Sequence, residues 1–566
     1  MPIPHSILDQ SGFADLDLKL TSGAWPADLS GEIVLSSADQ ATSGPHAFFG
    51  DGSMLRLSLR PGTHDSPSDR FAWRTGLLRT PSRRLREVRP DAFEATAIGT
   101  RSAFGWSNSA NTAPLPWGDR LFATWDAGRP VEVDPVTLEA LAEVGHRDDW
   151  GSAFPAPILP LVPSTAHPVI DPDRDCLWSV ALDPMTQRLT VIRWDGASSR
   201  VQTWPLADAP VQQSMHTITQ TRDWLIFADC AFRADPAEIF GTGERTVTNL
   251  SSEAVYLVRK DALEATPVGQ PVSATGFEVA PEVMHYYATY DDSDGITVLF
   301  EHTAVTDLAM ALRADDIDAW GRPIDPAMIG MYNHPMHPAV VSVQRFDPET
   351  GVVSERSRFT DPERCWSTQL NAMDWSTEGM AAPTSHHLLF SGFHAEAVTA
   401  RAMALYGDRV PPLPDHEIPG RLVSLDRQSL AETSAWTFAP DDYASSPCFV
   451  PRHPAGGDAG NGRSRYAGSA PGGHDGYVVV PVLADAAFRV EVFDAADVSR
   501  GPMATLTAPG GQTVPFLLHS AWMPRAVPAD PGLERLRFAD EVTAEGLAQL
   551  SDDLAAGVHQ VLDDLG

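Results

Sequence analysis

Hydrophobic and polar positions alternate with a period of two along most of the chain. Runs of β-branched and aromatic residues are bounded by Gly, Pro, Asp and Asn, the pattern of half-buried strands joined by turns. Helical spacing is confined to short stretches before the C-terminus. One strand-like run recurs, and it ends in Arg or Asp before turning. It reads Met54-Leu-Arg-Leu-Ser-Leu-Arg60, Val131-Glu-Val-Asp134, Val191-Ile-Arg-Trp-Asp195, Val255-Tyr-Leu-Val-Arg-Lys-Asp261, Val341-Ser-Val-Gln-Arg-Phe-Asp347, Leu422-Val-Ser-Leu-Asp426 and Val490-Glu-Val-Phe-Asp494. The seven closing residues lie 61 to 86 positions apart. Such spacing is longer than that of compact propeller repeats and suits four-stranded blades carrying insertions. The pattern predicts an all-β chain: a seven-bladed β-propeller over residues 1–535, with a loop and helical cap over one face. A pair of β-sandwiches, whose hairpins also end in Asp turns, is the competing architecture.

The end of the chain differs. From Asp540 to Leu565, Leu, Val and Ala recur at helical spacing between acidic residues, which predicts an amphipathic tail helix, within residues 536–566, packed on the propeller. Two apolar, Pro-rich segments, Phe154 to Pro163 and Pro326 to Tyr332, read either as ordinary loops or as the mouth of an apolar tunnel able to touch a membrane surface.

Composition narrows the function classes. The 566 residues carry 41 Lys and Arg against 75 Asp and Glu, a formal charge of −34, so nucleic acid and anionic lipid headgroups are poor partners. Four cysteines without a CxxC pair argue against a disulfide framework and a thiolate zinc site. Absence of a basic and apolar leader and of any stretch of about 18 apolar residues leads to the expectation of a cytosolic chain.

Among 18 histidines, four share a context. His167, His216, His285 and His519 each stand at the start of a strand-like run. Blade-opening strands line the axis of a propeller, so one imidazole from each of four blades can converge there. Four neutral imidazoles with open coordination positions suit a redox-active first-row metal, with Fe(II) the candidate for oxygen chemistry. His334-Pro-Met-His337 looks like a metal clip but reads better as a surface loop. His386 and His387 are adjacent on a strand, face opposite sides and cannot chelate together.

Several stretches carry a resemblance. They are His46-Ala-Phe-Phe-Gly-Asp-Gly-Ser-Met54; Asn108-Ser-Ala-Asn-Thr112 with Leu121-Phe-Ala-Thr-Trp-Asp-Ala-Gly-Arg-Pro; Thr165-Ala-His-Pro; Met215-His with Trp224-Leu-Ile-Phe-Ala-Asp; His285 with Tyr290-Asp-Asp; Cys448-Phe-Val-Pro-Arg with His474-Asp-Gly-Tyr-Val-Val-Val; and Val514-Pro to His519. In order and spacing the chain resembles, from about Gly31 to Pro524, the carotenoid cleavage oxygenase family of non-haem iron enzymes. The resemblance implies a seven-bladed propeller with Fe(II) held by His167, His216, His285 and His519. It also implies addition of O2 across one C=C bond of an apolar conjugated alkene, a carotenoid or apocarotenoid, to give two carbonyl products. Family members support three of the ligands with acidic residues; the matching positions here are Asp126, Gln369 and Ser446, one shortened acid and two neutral groups. Glu282 or Glu301 is an alternative source of a carboxylate.

Positioning and exclusion of water would carry catalysis, so no nucleophile or paired carboxylate is required. Candidate tunnel residues are Phe104, Trp106, Phe154, Tyr286, Tyr287 and Phe516. Stilbene-cleaving relatives hold a phenol with Tyr and Lys, and the only lysines, Lys19 and Lys260, lie outside a matching stretch. An apocarotenoid is therefore the first expectation and a stilbene the second. Two further readings are an isomerase that activates an ester at the same iron, and a propeller that has become a binding scaffold.

Overall fold

Each of the seven recurring runs is the third strand of a four-stranded antiparallel sheet. The closing acid explains the turn that follows. Oδ1 of Asp134, Asp195, Asp347 and Asp426 each accepts hydrogen bonds from the N–H groups two and three residues on, at 2.8 to 3.2 Å. The side chain thereby mimics a main-chain turn and leads into the fourth strand.

In the computed structural model the described residues are 3–4, 15–44, 46–60, 70–151, 156–235, 250, 252–303, 306–307, 309–333, 337–367, 369–372, 384–406, 412–452 and 475–565. Five sheets of four strands are blades II to VI, and a ten-stranded sheet holds blades VII and I. From the innermost strand outward, blade II is Ala113–Trp117, Arg120–Thr124, Val131–Val133 and Ala140–Glu143. Blade III is Val169–Asp171, Cys176–Asp183, Arg188–Trp194 and Gln202–Pro210, and blade IV is Ile218–Gln220, Trp224–Ala228, Glu253–Arg259 and Thr275–Val279. Blade V is Val283–Ala288, Ile296–His302, Val340–Asp347 and Val352–Thr360, and blade VI is Gln369–Asn371, Ser385–Phe390, Arg421–Asp426 and Glu432–Thr437. Blade VII opens with Cys448–Pro451 and continues through Gly476–Leu483, Arg489–Asp494 and Ala504–Thr507.

Blade I is assembled from both ends of the chain. Gly31–Ala38, Gly52–Arg60 and Arg70–Leu77 follow one another, but the innermost strand is Ser520–Met523. A further strand, Leu16–Gly23, pairs through Leu16 to Leu18 with Phe71 to Trp73 of blade I and through Lys19 to Gly23 with Ala504 to Thr507 of blade VII. The seam between first and last blades is therefore hydrogen-bonded. Apolar layers fill the gaps elsewhere: Val180, Val191, Leu225 and Phe227 lie between blades III and IV, and Val255, Leu257, Tyr286 and Phe300 between IV and V. The cap segments contribute Leu312, Met328, Met331, Phe393 and Val398 to the core shared by blades VII and I.

At the ends of the inner strands opposite the histidines, a buried polar knot ties three blades. Lys260, fully buried in blade IV, bonds through Nζ to Asp171 Oδ2 (2.7 Å), Gln220 Oε1 (2.8 Å) and the Thr221 carbonyl (2.7 Å), while the Tyr290 hydroxyl donates to Asp171 Oδ1 at 3.2 Å.

The expected single tail helix is instead three: Phe538–Glu541, Ala544–Leu547 and Asp552–Leu565. Thr543 starts the second by accepting a hydrogen bond from Gly546 N–H at 3.0 Å, and Gly546 lies where a Cβ would sit 2.4 Å from the Pro157 carbonyl oxygen, so this turn is bound to the blade surface and not to a continuing helix. The last helix lays Val558 and Val561 onto Leu85, Phe104, Ile158 and Leu159, beside the helix Pro81–Val88. Gly557 permits that approach, since a Cβ there would meet the Arg89 side chain at 2.9 Å. Glu541 anchors the junction: its carboxylate accepts two hydrogen bonds from the buried Arg129, both at 2.8 Å, and one from Arg147 N–H at 2.7 Å. None of the described helices is long and apolar enough to cross a membrane.

A chain ending at Arg535 would uncover Leu85, Phe104 and Ile158, worth about 1.5–3 kcal/mol for each large side chain exposed, and deprive Arg129 of Glu541. We predict a lower melting temperature and new binding of a hydrophobic dye. Unchanged melting and dye binding would show that the tail contributes nothing to the propeller.

Candidate metal centre and its cavity

The four histidines stand at corresponding places in four blades. His167, His216 and His519 each lie one or two residues before the inner strand of blades III, IV and I, and His285 lies within that of blade V. Their ligand-type nitrogens all lie within 4.8 Å of one another. Ring centroids are 4.6 to 5.3 Å apart, and Nε2 of His216 is 3.2 Å from Nε2 of His285. Chain-remote residues thus share one point at the axis.

Main-chain stitches between adjacent blades hold these strand ends in register. Ser446 of the blade VII entry donates to the Leu518 carbonyl at 3.0 Å; Ser36 of blade I donates to the Thr112 carbonyl; Thr124 of blade II donates to the Ala166 carbonyl. Thr165 then donates to the His216 carbonyl at 2.8 Å and Thr217 to the Met284 carbonyl at 3.0 Å. In every case a short hydroxyl reaches the carbonyl of, or beside, a residue at the start of the next blade's inner strand. Thr165 also accepts from His167 N–H at 3.0 Å, fixing its own blade's histidine.

One ring is oriented by a hydrogen bond, and a second has a carboxylate beside it. Asp126, on the blade II loop, has Oδ1 at 2.7 Å from Nδ1 of His216, which fixes the proton there and turns Nε2 to the centre. Glu301 places Oε2 3.3 Å from Nδ1 of His285. Ser446 does not support a ring. Its hydroxyl is used on the Leu518 carbonyl, so it acts on His519 through the main chain. The main chain of Gln369 lies in the inner strand of blade VI, and its side chain falls outside the described residues.

Burial disfavours charge on three of the rings. Desolvation, with the neighbouring imidazoles adding to it, drives the pKa of His167 and His285 well below the ordinary histidine value and that of His519 down to about 3. Lone pairs are therefore available on nitrogens that face one another. A divalent first-row ion about 2.1 Å from each nitrogen spans roughly 4.2 Å across the centre, so this set fits one ion with a small inward shift.

The centre opens onto an aromatic-walled cavity. Aromatic rings form a continuous wall: Phe48 stacks on Phe516 at 4.4 Å, Phe48 lies 5.0 Å from Tyr332, and Tyr443 lies 5.8 Å from Phe516. Trp125, Phe49, Phe232 and Met284 complete the apolar lining. Of the expected tunnel residues that are described, Phe516 alone lines this cavity. Phe104 is packed under the tail helix, and Phe154 lies outside the described residues. Tyr286 follows His285, so the pleat turns it away from the axis, where its hydroxyl donates to the Thr217 carbonyl and accepts from Ala228 N–H. Trp106 and Tyr287 belong to neither the cavity nor the centre, and Tyr287 packs between blades V and VI. Met284 reaches the cavity with its neighbour His285 because the pairing slips between Val283 and His285.

The remaining motifs have structural roles here. Asn111 donates to the carbonyls of Phe48 (2.8 Å) and Gly50 (2.9 Å), and Gly52 passes so near that a Cβ would sit 2.4 Å from the Ala110 carbonyl oxygen. These contacts hold Phe48 and Phe49 against the cavity. His387 bonds Ser424 at 2.9 Å, His337 bonds the Pro338 carbonyl at 2.9 Å, and His334 and His474 lie outside the described residues. All four cysteines are buried thiols.

A family model, that of the retinal pigment epithelial membrane protein (RPE65), matches residues 8–524. The chain belongs to this family, which includes the carotenoid oxygenases. Among family relatives, the apocarotenoid-15,15'-oxygenase of Synechocystis is 29% identical over 163 residues, 26% of this chain and 30% of the relative. Carotenoid cleavage dioxygenase 7 of Oryza sativa is 33% identical over 137 residues, 22% of each chain, and resveratrol cleavage oxygenase 1 of Chaetomium globosum is 30% identical over 175 residues, 28% of this chain and 25% of that one. The chain thus spans between 22% and 30% of the length of the curated relatives it matches. Cobalt-substituted Synechocystis ACO superimposes with a TM-score of 0.59 at 19% identity, covering 92% of this chain and 98% of that one, and an ACO/RPE65 chimera does so at 0.60 and 18% with the same coverage. The fold is that of these propellers.

Acid should destabilise the metal-free protein. Burial lowers His302 and His337 to about 4 and His386 and His519 to about 3. The unfolded rings bind protons below about pH 6.5 while the folded ones do not, so this stability is present above that pH and is lost as pH falls through the folded values, at up to ~1.4 kcal/mol per pH unit per ring. Glu253 and Glu301, raised by burial, act in the opposite sense above about pH 4.5 and reduce the net slope. We predict a melting temperature that falls from pH 6.5 to 4, with proton uptake on unfolding at pH 5; a flat profile would contradict it.

Proposed function

We propose that the protein is a non-haem Fe(II) dioxygenase that adds O2 across one C=C bond of an apolar conjugated substrate, a carotenoid or apocarotenoid, to give two carbonyl products. The observation that carries this reading is the convergence of four imidazoles at the inner end of an aromatic cavity. His167, His216, His285 and His519 would hold the iron. When bound, Fe(II) supplies a redox-active centre with coordination positions left for O2.

The chain's own groups then have defined tasks. Asp126 keeps the Nδ1 proton of His216 and so presents Nε2 inward. The aromatic wall from Tyr332 through Phe48 to Phe516 and Tyr443 holds a flat polyene against the centre and excludes water. No proton need be moved by a side chain, because the overall reaction joins one oxygen atom to each alkene carbon. Ile317 and Ile329 are exposed on the cap segment whose Tyr332 lines the cavity, and they mark where a greasy substrate would enter, in solution or at a membrane surface.

Absence of a lysine from the cavity lining favours the apocarotenoid over a phenolic stilbene, since Lys260 is committed to the Asp171 knot. With an apocarotenoid panel, we expect purified iron-loaded protein to take up one O2 per alkene cleaved and 18O2 to label both carbonyl products. His285→Ala should lose stoichiometric iron and all uptake. Uptake with stilbenes alone would change the substrate class. An intact rearranged skeleton would instead mean isomerisation, and no iron with no uptake would leave a binding scaffold.

A further inference from the structure

We infer that Glu301 is the positioning residue of His285, holding its Nδ1–H and supplying the second carboxylate of the metal centre; this rests on the reading of the four histidines as metal ligands. His285 and Glu301 are direct partners in the antiparallel pairing of the first two strands of blade V, so their side chains project from one face. Glu301 Oε2 lies 3.3 Å from Nδ1 of His285, with side-chain exposures of 1% and 3%. Among the described residues neither carboxylate oxygen of Glu301 nor Nδ1 of His285 makes a hydrogen bond with another group. A carboxyl group this deep is unfavourable without a partner. The imidazole nitrogen 3.3 Å away is a donor within reach, and a small turn of either side chain satisfies both.

That turn has two consequences for the centre. With the proton held on Nδ1, Nε2 of His285 carries the lone pair, and this is the atom that faces Nε2 of His216 at 3.2 Å. Charge also balances: a dication among imidazoles keeps a full uncompensated charge if Asp126 is its only carboxylate, whereas Asp126 and Glu301 together neutralise it. The two supports differ in origin. Asp126 arrives from blade II to reach a ligand of blade IV, while Glu301 sits on the strand next to its own histidine, so His285 is positioned within one blade.

The test is Co(II) binding by metal-free full-length protein under chelator competition, read by affinity and by the visible d–d spectrum, for wild type, Glu301→Gln and Glu301→Asp. Glu301→Gln should bind Co(II) about 10–100-fold more weakly with an altered spectrum, Glu301→Asp should lie between, and metal-free Glu301→Gln should melt no lower than wild type because it loses a buried acid. Wild-type affinity and spectrum in Glu301→Gln would overturn the inference while leaving the metal centre intact. A wild-type protein that takes up no Co(II) would overturn the metal centre itself. If Glu301→Gln fails to fold, a structure of the Co(II)-loaded wild type decides: Nδ1 and Oε are expected at about 2.7–2.9 Å, and a Glu301 turned away from His285 would refute the assignment.

Discussion

Five hydroxyl-to-carbonyl stitches, from Ser446, Ser36, Thr124, Thr165 and Thr217, are what the centre depends on. A propeller blade is rigid within itself, but apolar layers between blades tolerate sliding, because dispersion is not directional. Four imidazoles from separate blades converge only if the strand ends keep their relative height to within a fraction of an ångström. A buried hydrogen bond to a carbonyl supplies that directionality, and it loses its value quickly when stretched. The stitches run continuously from blade VII to blade V. Those blades include all four that carry histidines, so tolerance is tightest where the chemistry requires it.

The visible part of this design in the sequence was the part with local periodicity. All seven third strands could be read because their alternation and closing Asp are local features, and counting them gave the blade number. The histidines could be placed because each stands at the start of a strand-like run. The aromatic wall could not. Phe48, Tyr332 and Tyr443 come from a turn, a cap segment and a short strand with no shared pattern, and only the tertiary structure brings them together. Tyr286 was misplaced for a nearer reason: the residue after an axial histidine points into the interblade layer. Signals for two other features were present. The Phe48-Phe49 pair ahead of the Gly-Asp-Gly turn is more apolar than a surface turn requires, and Glu301 is an acid directly after the mainly apolar run Ile296 to Phe300.

Charge is handled differently outside and inside. The acidic exterior is solvated and says little about chemistry. Inside, several ionic groups are tied across a boundary: Lys260 joins blades III and IV, Arg129 joins blade II to the tail, and Arg83 and Arg86 hold Asp51 beneath the cavity turn at 3.3 and 2.7 Å. Such pairs add little net stability, since desolvation offsets attraction, but they penalise wrong alignments severely. They therefore act with the stitches, selecting one relative placement of elements that apolar contacts alone would leave loosely defined.

Blade I carries a consequence for how the molecule is made. Its innermost strand is Ser520–Met523, so during synthesis the first blade waits with an open edge for nearly the whole length of the chain. Until then Gly31–Ala38 presents unpaired main-chain groups, the kind of edge that invites pairing with another chain. Loop closure over this span is slow, and the topology is rich in distant contacts. His519 directly precedes the closing strand, so the four histidines come together only as the ring shuts. An ion captured at that moment would act as a clasp, lending its binding energy to the step that the chain by itself completes last.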